Sequence, residues 1–168
     1  MEVVGLSKNH IKEISSIKKE EEWLLDYRLK SYDLFEKLES PSFGPKYEID
    51  FSKVIYYKSQ EESIKNNWND ISCSIREELD SVGVLESERH MDGMGVQYES
   101  EVIYHNMLEE LEKKKVIFTS IEEGLKKYPE IARKHFGKIV ANSDNKFAAL
   151  NSSVFSGGSF IYIPPHTK

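Results

Sequence analysis

Apolar residues recur every three to four positions through much of this chain, and the pattern changes towards its end. In EEEWLLDYRLKSYDLFEKLE, residues 20–39, Trp23, Tyr27, Leu34 and Leu38 fall near helical spacing, with Leu24 and Phe35 beside them. Acidic residues open this stretch and Lys37 lies near its close, as the helix dipole favours. SPSFGP, residues 40–45, breaks it with two prolines and a glycine. YEIDFSKVIYY, residues 47–57, alternates only loosely and predicts an extended segment along a surface. Helical spacing returns through Ile71, Ile75, Leu79 and Val82, with Gly83 as a C-terminal cap and Cys73 off the stripe. Gly93 and Gly95 predict a turn, and Ile103, Met107 and Leu111 a further helix ending in the lysines 113–115.

VIFTS, residues 116–120, predicts a buried strand, and Ser120 with Glu123 forms a capping-box pattern that opens the helix IEEGLKKY. Pro129 opens a second short helix that Gly137 closes. At the end, SSVF and SFIYI flank Ser156-Gly157-Gly158-Ser159, which predicts a hairpin with an open sheet edge. An open edge is normally covered or blunted, so either a partner or further chain is expected there. The pattern as a whole predicts an α+β fold whose strands gather in the last third. It divides into a helical arm (1–40), an α+β portion (41–143) and a final strand region (144–168).

Composition narrows the function. At 168 residues the chain can bury roughly 70% of its unfolded surface, so it needs neither disulfide nor metal to fold. A net charge of −6 argues against a general nucleic-acid binder, and the lysine runs read as solvated helix faces. No apolar run approaches the roughly 20 residues of a membrane span, and the amino terminus lacks the long apolar core of a signal peptide. One cysteine, Cys73, allows no internal disulfide. The expectation is a cytoplasmic protein.

Candidate chemistry is sparse. His10, His90, His105, His135 and His166 are scattered without metal-ligand spacing. His90 with Asp92 could pair as base and orienter, but the pair reads more simply as loop residues. DGMG, residues 92–95, could offer backbone N–H groups to an anion, yet it lacks the P-loop pattern and reads as a turn. Ser152, Ser153, Ser156 and Ser159 form no nucleophile elbow. Glu20-Glu21-Glu22 and Glu109-Glu110 are runs, whereas paired catalytic carboxylates come from separate elements. Cys73 has Arg76 as its nearest cation and reads as an ordinary helix cysteine. No catalytic, cofactor-binding or metal-binding residue is assigned, and a binding or structural part is favoured over an enzyme.

The tail DNKFAALNSSVFSGGSFIYIP, residues 144–164, resembles the SufB family of iron–sulfur cluster assembly scaffolds. ISSIKKEEEWLLDYRLKSYDLFEKLESP is similar to that family's amino-terminal helix, with Glu21 where proline is usual. IDFSKVIYY, VGVLESERHMDGMGVQYESEVIYHN and VIFTSIEEGLKKYPEIARKHFGKIV agree with it in the same order. The resemblance implies an amino-terminal portion that leads into a right-handed parallel β-helix absent from this chain. It further implies action with a SufC-like ATPase and a SufD-like subunit in the SUF system. An iron–sulfur cluster is expected in the full-length family protein, with its ligands beyond Lys168 and none here. PPHTK departs from the family's usual continuation. The alternative is a stand-alone interaction module that keeps a SufB-like amino terminus and pairs its open edge with a partner or a second copy.

Overall fold

A computed structural model describes residues 2–44, 48–58, 64–65, 67–83, 91, 93–107 and 109–167. The chain forms two compact units, one from Met1–Ser59 with Leu125–Ser156 and the other from Gln60–Gly124 with Gly157–Lys168. The architecture is α+β: helices with three antiparallel sheets of two strands each among the described residues.

The first unit opens with a strand that helical periodicity did not predict. β1 (Glu2–Val4) pairs antiparallel with β2 (Ile55–Lys58), placing Val3 opposite Tyr57. Val3 and Tyr57 are buried together with Ile14 of α1 (Lys8–Ile17). Ser7 caps α1, accepting from the His10 N–H at 3.3 Å. α2 (Glu22–Lys37) packs chiefly on α7 (Lys146–Val154). Fully buried small residues on both helices, Ser31, Ala149 and Ser153, let their backbones approach closely. The predicted stripe of α2 is displaced: its buried positions are Leu24, Arg28, Ser31 and Phe35. That set follows helical spacing too, but half of it is polar, so hydrophobicity alone does not find it.

In the second unit, α3 (Cys73–Ser81) forms where the Ile71, Ile75 and Leu79 spacing places it, with Gly83 at φ +89° just beyond its end. Its Ile75 joins Trp68, Ile71, Val96, Ile103 and Tyr104 in one apolar cluster. The expected helix through Ile103 and Met107 is instead a strand. β4 (Glu101–Met107) pairs antiparallel with β3 (Gly93–Tyr98). Val102, Ile103 and Tyr104 are β-branched or aromatic and are all buried, a run that suits a packed strand better than one helix face. Only Glu109–Lys113 (α4) is helical there. Gly93 and Gly95 are not a turn but lie within β3, where the missing side chain of Gly93 leaves room for the Phe118 ring.

β5 (Ile117–Ser120) forms where VIFTS predicts a strand, but it is half-buried rather than buried, with Ser120 alone of its residues fully covered. It is followed by α5 (Ile121–Lys127) and α6 (Pro129–His135). Pro129 occupies the first turn of α6, and Gly137 follows its end at φ +68°. The terminal hairpin is not formed. SSVF belongs to the end of α7, and SFIY forms β6 (Ser159–Tyr162), which pairs antiparallel with β5. Asn145 explains the difference, because its side chain accepts from the N–H groups of Phe147 and Ala148 and starts a helix that carries through Val154.

Candidate functional site

The most developed polar arrangement in the first unit is built around two cations that close the ends of two helices. A helix leaves its last four carbonyls without internal partners, and a cation is favoured beside them. Arg28 of α2 donates from Nη1 to the Ser153 carbonyl at 3.2 Å and from Nη2 to the Phe155 carbonyl at 3.0 Å, at the end of α7. Its guanidinium carbon also lies 3.8 Å from the centroid of the Phe155 ring. Lys146, the first residue of α7, donates to the Phe35 and Leu38 carbonyls at 2.8 and 2.9 Å, at the end of α2. The two helices therefore run antiparallel, each supplying a cation to the other's C-terminus. Glu20 neutralises Arg28 through a two-pronged contact at 2.8 and 2.6 Å, and the two side chains are 0% and 5% exposed. This pairing takes Glu20 out of the solvated acidic run that the sequence suggested.

Beside this arrangement lies an open cleft of about 310 Å³ lined by Tyr27, Phe136, Phe155, Asn151, Ile139 and Val140, among others. Tyr27 packs edge-on against Phe136 at 5.3 Å and donates from its hydroxyl to Ser152 Oγ at 3.1 Å. Phe136 also meets Phe155 at 5.1 Å. Gly137 is required here: its φ of +68° is in the left-handed region, and a Cβ would meet the Tyr27 hydroxyl.

The remaining candidates do not converge. His90 and Asp92 lie outside the described residues. Cys73 is exposed at the start of α3, where Arg76 Nη2 donates to its sulfur at 3.2 Å. Ser152 accepts from Tyr27 and so joins α7 to α2, while Ser153 donates to the Leu150 carbonyl at 2.7 Å within α7. Glu109 and Glu110 are exposed on α4. His135 lines the cleft, while His105 sits on β4 with its ring 4.6 Å from that of Phe118. Burial holds the His105 imidazole below its ordinary pKa of 6.5, against the upward pull of Glu123 and Glu112. Its Nε2 is buried without a hydrogen-bond partner among the described residues. No three His, Cys, Asp or Glu side chains come together as a metal-holding group among the described residues. Nor is any described helix long and apolar enough to cross a membrane.

At the other end of the chain, Gly124 of α5 lies under Phe160 of β6, with no room for a Cβ. Glu122 accepts from the Gly157 N–H at 2.9 Å, and Gly157 adopts φ +67° before β6 begins. β6 buries Phe160 and Tyr162 in part and exposes Ile161 (61%) and Ile163 beyond it (62%).

The residues 90–168 match the model of the SufBD protein N-terminal region. Across 166 residues, or 98% of its length, the chain is 44% identical to an iron–sulfur cluster assembly SufBD family protein of Staphylococcus aureus strain USA300. It is 43% identical over 166 residues to a protein of the same description from Staphylococcus epidermidis. The chain spans 36% of the length of each of these relatives.

Proposed function

We propose a role that proceeds from the chain's place in sequence, since it belongs to the SufBD family: it is the amino-terminal part of a SufB-like scaffold subunit for iron–sulfur cluster assembly. The observation that carries this reading is 44% identity sustained over 98% of the chain to a relative described by that process. The subunit acts in the cytoplasm with a SufC-like ATPase and a SufD-like subunit, and it is not an enzyme by itself. The nascent cluster is cargo held by residues outside this chain. Within the chain, the cross-capped α2–α7 pair and the Gly124–Phe160 packing have structural work, fixing the end of α7 and the start of β6. Anaerobic reconstitution with iron and sulfide tests the assignment. The intact protein is expected to hold a stoichiometric cluster, the 168-residue chain alone none, and Cys73→Ala is expected to change neither result. A stable cluster on the short chain, lost on Cys73→Ala, would overturn it.

A second reading rests on β6, which pairs only with β5 among the described residues and exposes Ile161. A stand-alone module would use that edge to pair with a second copy. Light scattering after size exclusion would then show a defined dimer that Ile161→Lys dissociates, whereas a scaffold fragment shows no such dimer.

A further inference from the structure

The segment that forms one wall of the Tyr27–Phe136–Phe155 cleft presents two apolar side chains to solvent. Ile139 is 97% exposed and Val140 63%. They are not at a loose tip. On one side Gly137 is packed against Tyr27, and on the other Asn142 donates to Ser31 Oγ at 2.9 Å. Asn145 then caps α7 three residues on. The Ile-Val pair is therefore held in place between fixed points, beside a concave aromatic surface.

Charge along the segment that carries Phe136 to Val140 runs against the rest of the chain. The whole sequence carries a net −6, yet residues 126–143 contain five Lys or Arg and one acidic residue, Glu130. Arg133 is occupied by Glu21 at 2.5 Å and by the Trp23 ring. Lys134 and Lys138 are exposed and adjoin cleft residues His135, Gly137 and Ile139 in sequence. Cations at the end of α6 are favoured by its dipole, but that accounts only for its last turn, not for Lys138 beyond it. An apolar hollow built on a segment that carries exposed lysines is complementary to an acidic segment that carries an apolar side chain.

We infer that this surface docks an acidic peptide segment of a partner protein, with one aliphatic or aromatic side chain seated in the cleft between Phe136, Phe155 and the Ile139–Val140 wall. An anionic membrane is disfavoured by shape, because Phe136 and Phe155 line a hollow rather than project from the surface. The inference stands apart from the scaffold assignment, since it rests on the cleft and its charge alone.

The test is fluorescence anisotropy on the intact protein with a labelled peptide of Asp and Glu residues around a central Leu. Controls are the same peptide with a central Ser, a Lys-for-acid version, and phosphatidylserine vesicles. Saturable binding is expected for the Leu-centred acidic peptide. Ile139→Ser should weaken it about tenfold, as expected from losing one buried apolar contact. Lys134→Glu with Lys138→Glu should weaken it further and flatten its dependence on salt. Val140→Ser provides a second variant at an exposed position, and unchanged circular dichroism establishes that each variant is folded. The inference is overturned by no peptide binding, by equal binding of the Ser-centred or Lys-rich peptide, or by binding indifferent to Ile139→Ser and Val140→Ser. Binding to vesicles without binding to the peptide would overturn it in favour of a membrane.

Discussion

Arg28 is fully buried and joins Glu20 to the Ser153 and Phe155 carbonyls. A buried ion pair adds little over a well-packed apolar pair, but removing one partner leaves a charge stranded. Glu20→Ala is therefore expected to cost about 3–5 kcal/mol, read as a lower urea midpoint with unchanged slope. Arg28→Met avoids the stranded charge yet leaves the Ser153 and Phe155 carbonyls without their donor, so it should remain clearly destabilising. Removing the reciprocal cation by Lys146→Ala should cost about 1.5–3 kcal/mol, since its hydrogen bonds are charge-assisted. Cys73→Ala, at an exposed position, should stay within about 0.5 kcal/mol of the parent in the same titration. Arg28 was visible in the sequence only through the spacing of 24, 28, 31 and 35, which a search for apolar residues passes over because Arg28 and Ser31 are polar. The stripe of Trp23, Tyr27 and Leu34 one position away is the stronger apolar signal.

At the scale of elements, local chemistry was legible where one side chain decides the backbone. Gly83 and Gly137 mark helix ends, Pro129 marks a helix start, and Ser120 accepts from the Glu123 N–H at 3.2 Å. The Glu123 carboxylate also accepts from Thr119 Oγ1 at 2.6 Å. Misreadings fell where a short apolar run fits both periods. Residues 103–107 fit a helix by spacing, but pairing with β3 decides for a strand. SSVF reads as a strand by composition, whereas Asn145 at the helix start decides the other way. Gly124 gives an element-scale prediction. Alanine would gain about 1 kcal/mol of helix propensity, against about 1–3 kcal/mol for overpacking on Phe160. Gly124→Ala should thus lower the thermal midpoint, while Gly124→Ala with Phe160→Leu should recover part of the loss.

His105 adds a pH dependence to the β4 strand and its neighbours. Its folded pKa is held below 6.5 by burial, so the unfolded chain binds the proton more readily. Its contribution is fully present above the unfolded value near 6.5 and is lost as pH falls from there through the lowered folded value. Urea midpoints should fall over that window, and His105→Phe should flatten the fall. An equal fall in the variant would assign it to other groups.

For the whole molecule, neither composition nor periodicity named a function, and the chemistry of individual side chains supplied no active site. The family was legible in the ordered segments, because such a resemblance is carried by sequence order over nearly the full chain rather than by any one constellation. The measurement that bears hardest on the proposed role is made in cells depleted of the intact protein: the activity of enzymes that require iron–sulfur clusters, aconitase among them, assayed alongside a cluster-free enzyme. A scaffold role predicts that aconitase activity falls while the control holds, with recovery on re-expression of the intact protein. Unchanged aconitase activity after depletion, with no other cluster scaffold present in those cells, would contradict it.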